Sequence, residues 1–176
     1  MSLAGSLAVG REKGQSMPTG GTQTGGMPEI RPAVAADVPD IERIVHDAYV
    51  KYVARIGKPP GPMQDDYAAR VAAGEVWVCA EGDDIAGILV LEAAADYLLL
   101  DNIAVAPAWQ GRGVGRHLLA FADAEARRAG HAELRLYTHV LMHENIALYT
   151  HLGWQETGRG EQAGFQRVFM RKAVPA

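Results

Sequence analysis

Gln110-Gly111-Arg112-Gly113-Val114-Gly115 joins an apolar, strand-like run, Tyr97 to Ala106, to a helix-periodic run that begins near Val114. A glycine-rich turn leading from a strand into a helix leaves several backbone N–H groups free at the positive end of the helix dipole. Such a turn binds phosphate-like anions through the main chain, and glycine lets the ligand approach the backbone closely. Arg112 and Arg116 add charge suited to a pyrophosphate. The segment therefore predicts a phosphate-bearing ligand at the start of the helix.

What the turn lacks narrows the ligand. A P-loop would end in Lys-Ser or Lys-Thr where Arg116-His117 stands, and a dinucleotide fingerprint would need glycine at position 116. The spelling resembles Gln/Arg-x-x-Gly-x-Gly/Ala, the pyrophosphate loop of the GNAT superfamily of N-acetyltransferases. The stretch from Leu98 to Gly130, with Asn102-Ile103-Ala104-Val105-Ala106-Pro107 before the loop, is similar to that family's acyl-CoA core. Downstream, Asn145-Ile146-Ala147-Leu148-Tyr149-Thr150-His151-Leu152-Gly153-Trp154 resembles the family's short helix ending in Leu-Tyr-x-x-x-Gly-aromatic. The place seven residues before the tyrosine, often asparagine in the family, is Met142, and Asn145 lies nearer. The resemblance runs from about Ile30 to Lys172.

The resemblance implies a site. Acetyl-CoA would enter as acyl-donor cosubstrate, its pyrophosphate held by Gln110, Gly111, Arg112, Gly113, Val114, Gly115 and Arg116. Its pantetheine arm would lie along Ile103, Ala104 and Val105, pairing like an added strand with the main chain of Ile103 and Val105. One of those N–H groups would polarise the thioester carbonyl. Tyr149 would act as general acid on the departing thiolate, and Asn145 is a further cofactor contact.

The residues themselves point to the rest of the chemistry. Asp101-Asn102 interrupts an otherwise apolar strand, and both types are depleted in strands. Read functionally, they form a bulge that ends pairing to the next strand and opens a wedge for ligand backbone; read structurally, they cap a neighbouring backbone. Acyl transfer requires a neutral amine, and deprotonating a lysine-like amine at pH 7 costs about 4.6 kcal/mol. A general base is therefore expected, with Asp101 the first candidate and Glu92 and Asp96 the alternatives. The acceptor pocket is expected between the first two helices, where Tyr49, Tyr52, Arg55, Lys58, Met63, Asp65, Asp66 and Tyr67 crowd together. The equally simple reading is an ordinary helix surface. His139 and His143 have no carboxylate or cysteine partner at metal-ligand spacing, so no metal is expected.

The 176 residues, 48% hydrophobic and 22% charged, suit one globular domain. The formal net charge of −4 argues against a nucleic-acid backbone as main partner, although Arg112, Arg116, Arg127 and Arg128 form a local basic group. Cys79 is the single cysteine, a small core residue in a chain suited to the reducing cytoplasm. No run is apolar enough to span a bilayer, and residues 1–27, rich in Gly, Ser and Thr, read as a flexible tail with Met17 and Met27 as alternative starts and no secretory signal. Residues 28–176 form the domain. Strands are expected at Glu29–Ala33, Glu75–Glu81, Ile85–Ala93, Tyr97–Ala106, Ala132–Thr138, Trp154–Thr157 and Gln166–Arg171. Helices are expected from a cap at Asp37, over Gln64–Ala73, over Val114–Ala129 and over His143–Leu152, with Gly158 to Ala163 as a hairpin turn.

The order βααβββαβαββ gives an α/β fold: a GNAT-like mixed, mostly antiparallel central sheet with helices on both faces and a strand splay at the acyl-CoA site. The expected activity is direct acetyl transfer to a primary amine of a small molecule or a peptide or protein, and a homodimer is compatible with it. The alternatives are a catalytically silent acyl-CoA-binding sensor and a toxin-like aminoacyl-tRNA acetyltransferase. The acidic balance speaks against the last.

Overall fold

The computed structural model describes residues 26–175. The tail expected over 1–27 thus lies almost wholly outside the described residues. The strands are β1 (Glu29–Pro32), β2 (Val76–Glu81), β3 (Asp84–Ala93), β4 (Leu98–Val105), β5 (Glu133–His139), β6 (Gln155–Gln162) and β7 (Phe165–Ala173). The helices are α1 (Val38–Ile56), α2 (Tyr67–Ala72), α3 (Val114–Arg128) and α4 (His143–His151). The order is the one expected. No helix among the described residues is long and apolar enough to cross a membrane.

One seven-stranded sheet runs β1-β2-β3-β4-β5-β7-β6. Its neighbours are antiparallel except the parallel pair β4–β5. The periodic apolar residues of α1, Ile41, Ile44, Val45, Ala48, Tyr49 and Tyr52, are all buried. Tyr49 reaches Asn102 of β4, whereas Val114 and Leu118 of α3 close on Gly87 of β3. Asn102 pairs with Val90, three residues from Gly87, and side chains alternate along a strand. So α1 and α3 cover opposite faces.

Gly87 sets how closely α3 can sit. A Cβ there would stand 2.9 Å from the Ala104 carbonyl oxygen and 3.0 Å from a Leu118 methyl. Backbone on one side and a packed helix on the other leave no room. Gly87→Val should therefore destabilise the fold by about 2–3 kcal/mol, read as a lower urea midpoint. An unchanged midpoint would mean that α3 is not seated as described.

Three local readings need correction. Asp37 does not cap α1 through its side chain. Its carboxylate accepts from the Val34 N–H (2.8 Å) and from Arg31, closing the preceding turn. The second helix starts later than Gln64: Gly61–Gln64 is a 3-10 turn, and Asp66 caps α2 by accepting from Ala69 N–H at 2.9 Å. Gly158 to Gln162 belongs to β6 rather than to a turn, and the chain reverses at Ala163 and Gly164, both with positive φ. The Gly158–Gln162 stretch lies exposed or half-buried on an edge strand, which tolerates the glycines that suggested a turn.

Candidate active site

The splay between β4 and β5 has a visible cause. Leu100 pairs with Leu91 and Asn102 with Val90, so Asp101 is an extra residue in β4. Such a bulge bends its strand and sharpens its twist. β4 and β5 are in register only at Leu98↔Leu134 and Leu99↔Arg135, while β5 stays paired with β7 from Glu133 to His139. Beyond Leu99 the two strands therefore diverge.

The main chain facing the gap follows from the ladder. The Ala106 N–H donates to the Ala86 carbonyl across β3 (2.9 Å). Antiparallel pairs alternate between bonded and non-bonded, so Ala104 and Asn102 also turn their main chain to β3. Ile103 and Val105 turn theirs to the gap. The expectation for Ala104 is narrowed by this: its backbone is committed within the sheet. Gln110 reaches back to the Val105 carbonyl (3.3 Å), fixing the start of the glycine turn at the end of the same edge.

At that turn Gly111 and Gly113 hold φ of +74° and +87°, and Gly113 is the N-cap of α3. The N–H groups of Val114, Gly115 and Arg116 belong to the first helical turn, where no intrahelical acceptor precedes them. Arg112 stacks 4.5 Å over Trp109, and Arg116 is exposed. An open-edged strand thus leads directly into a helix end whose first N–H groups have no intrahelical acceptor.

Tyr149 of α4 is fully buried and edge-on to Trp154 at 5.8 Å. Its hydroxyl, like that of Tyr52, is buried with no hydrogen-bond partner. Burial pushes its phenol well above the usual range, so the proton stays on the oxygen. Asn145, also fully buried, donates to the Met142 sulfur at 3.6 Å, so its amide faces the protein interior.

Asp101 is fully buried and accepts from the Tyr137 hydroxyl (2.9 Å) and from Arg70 (3.3 Å). Arg70 also contacts Asp65 (3.1 Å), Glu75 (2.7 Å) and Glu92 (3.0 Å). Burial opposes the Arg70 charge, but the bonds to Glu75 and Glu92, with Asp101 and Asp65 close by, more than offset it and raise its pKa. Two of the three candidate bases, Asp101 and Glu92, are thereby joined through one guanidinium. Glu92 borders a cavity of about 790 Å³ whose walls include Tyr97, Leu99, Tyr137 and Phe169. Asp96 is exposed in the turn before β4.

Comparison with known proteins agrees with this geometry. The profile of the acetyltransferase (GNAT) domain matches residues 72–156, from the end of α2 to the start of β6. Residues 72–156 carry a GNAT acetyltransferase domain. Probable N-acetyltransferase 14 of Xenopus tropicalis is 32% identical over 97 residues, 53% of this chain and 47% of that protein. The chain thus matches about half the length of this curated relative. The ribosomal-protein-S18-alanine N-acetyltransferase of Escherichia coli has a similar fold, with a TM-score of 0.63 and 24% identity over 85% of this chain and 96% of that one. YncA of Salmonella typhimurium, a putative acetyltransferase solved with its cofactor acetyl-CoA, superposes with a TM-score of 0.61 and 24% identity over 86% and 95% of the two chains.

Between the first two helices the residues expected to line an acceptor pocket are engaged with the rest of the protein. Tyr49, Tyr52 and Tyr67 are core residues. Tyr49 donates to Asn102 (2.7 Å), Asn102 to Tyr67 (2.9 Å) and Tyr67 to the Pro62 carbonyl (2.9 Å). This buried relay ties both helices to β4 and accounts for the Asn102 side chain. Arg55 pairs with Glu144 of α4 (2.8 Å), and Lys58 donates to the Gly164 carbonyl (2.6 Å) at the β6–β7 turn. Asp65 holds Arg70 and Asp66 caps α2. Cys79 lies in the core, burial pushing its thiol up to about 11. Arg128 pairs with Glu125 within α3, which removes it from any shared basic patch. Among the described residues no group of three or more His, Cys, Asp or Glu side chains is placed to hold a metal.

His139, at the end of β5, accepts the Leu141 N–H at Nδ1 (3.1 Å). Burial lowers its pKa, helped by Arg167 and Lys58. The unfolded chain takes up this proton near pH 6.5, the folded chain only at lower pH. Stability is therefore full above about pH 6.5 and falls as the pH drops below it. His139→Asn, which can still accept from Leu141, should flatten the decline in Tm between about pH 7 and 5. An equally steep decline would assign the acid sensitivity elsewhere.

Proposed function

We propose that this GNAT protein is an acetyl-CoA-dependent N-acetyltransferase that transfers acetyl directly to a primary amine of a small molecule or a peptide or protein. One observation carries the reading: the open main-chain edge at Ile103 and Val105 runs straight into the glycine turn at the start of α3. An extended arm ending in a pyrophosphate needs that sequence of surfaces. The single cysteine fits work in the cytoplasm.

In this reading the Ile103 and Val105 N–H groups pair with the pantetheine arm, and one of them donates to the thioester oxygen as negative charge develops there. The Arg70-linked carboxylates, Asp101 first and Glu92 beside it, take the proton from the acceptor ammonium. The amine nitrogen then bonds to the acetyl carbon as the carbon–sulfur bond breaks. Tyr149 holds its proton until thiolate charge appears and then donates it to sulfur, and the proton that the nitrogen sheds on becoming an amide restores the phenol. Asp101→Asn should flatten the rise in rate with pH, and an identical profile would move the base role to Glu92.

The test is release of free thiol from acetyl-CoA across amines, polyamines, amino acids and short peptides. Acceptor-dependent release supports the enzyme. Tight acetyl-CoA binding with no acceptor-dependent release would favour a silent binding module instead.

A further inference from the structure

Arg167 of β7 is only 3% exposed, and its Nε and Nη2 groups meet no hydrogen-bond partner. Its guanidinium lies 4.7 Å from the Phe165 ring and 5.1 Å from the Tyr137 ring. Stacking of this kind satisfies the face of the group, while its N–H donors lie in the plane and still need acceptors. A buried charged donor without an acceptor is costly. Burial accordingly pushes the Arg167 pKa down, opposed by Tyr137, Asp101 and Tyr49. Those three groups stand on β5, β4 and α1, so the guanidinium points from β7 across β5 towards the splay.

The opposite pole is acidic. Four carboxylates, Asp65, Glu75, Glu92 and Asp101, surround the single guanidinium of Arg70. Tyr137 separates the poles, its ring beside Arg167 and its hydroxyl on Asp101. An excess of negative charge thus stands one tyrosine away from a buried cation in want of an anion.

We infer that the acceptor is a zwitterion, a free α-amino acid or close analogue, with its carboxylate on Arg167 and its amino group beside Asp101 and Glu92. The two ends of an α-amino acid lie about 2.5 Å apart. With a hydrogen bond at each end it spans about 8 Å, a scale suited to poles on either side of one side chain. Leu99, Tyr137 and Phe169 in the neighbouring cavity suit a large apolar side chain. Arg167 is then a specificity-determining residue, and the assignment rests on the acetyltransferase reading above.

The experiment compares thiol release with phenylalanine, leucine and methionine against the same three amino acids as carboxamides. The wild-type protein should favour the free acids by about 100-fold in kcat/KM, the range for a hydrogen-bonded charged partner. Arg167→Met should abolish that preference through KM while leaving acetyl-CoA affinity unchanged, and Arg167→Lys should restore part of it. Equal rates with acids and carboxamides, or release with simple amines and peptides alone, would overturn the inference and leave the acetyltransferase intact. Loss of acetyl-CoA affinity in Arg167→Met would also overturn it, by placing Arg167 at the donor. No release with any amine would remove the acetyltransferase reading, and the inference with it.

Discussion

Gly113→Asp should lower acetyl-CoA affinity by at least about 100-fold, enough to abolish binding at ordinary ligand concentrations. Two effects act together. The residue holds φ of +87° as the N-cap of α3, a conformation that costs a side chain about 1–2 kcal/mol. More important, a carboxylate would stand where the free N–H groups of Val114, Gly115 and Arg116 are expected to meet a pyrophosphate. The strain is common to another site, which supplies the control. Gly130, just past the other end of α3, holds φ of +79° with open space around it. Gly130→Asp should show a comparable loss of Tm with acetyl-CoA affinity intact. Calorimetry giving equal affinity for Gly113→Asp and wild type would remove the anion site from this turn.

Tyr149→Phe should lower kcat by about 100-fold or more, within the range for losing a positioned proton donor, with little change in acetyl-CoA affinity. Its effect on stability should run the other way. The Tyr149 hydroxyl is buried with no partner, so phenylalanine removes an unsatisfied polar group and keeps the packing against Trp154. That exchange should leave the fold as stable or raise it by up to about 1 kcal/mol. Falling turnover with steady or rising Tm is the signature of a group retained for chemistry. Unchanged turnover would make Tyr149 a core residue and nothing more.

Much of this was legible in the chain because it is local. The glycine turn carries its chemistry in seven consecutive residues, and the pair Asp101-Asn102 breaks a strand whose other residues are apolar. Periodicity together with cap and turn residues placed the strands and helices in order. What escaped is contact between distant segments. Arg70 gathers Asp65 and Glu75 from the connections before α2 and β2 and Glu92 and Asp101 from β3 and β4, and no spacing in the sequence announces that. Arg167 escaped for the same reason, as its neighbours come from β4, β5 and α1. The tyrosines of α1 failed differently: helical spacing gives one inward face but does not say whether core or ligand fills the space. Here Asn102 fills it for Tyr49.

The most direct test of the account is amide hydrogen exchange, residue by residue, with and without acetyl-CoA. If the pantetheine arm docks as an added strand, Ile103 and Val105 gain protection together with Val114, Gly115 and Arg116, while Ala104 and Asn102, already bonded to β3, change little. Protection confined to the helix start, or spread equally over residues 102 to 105, would contradict it.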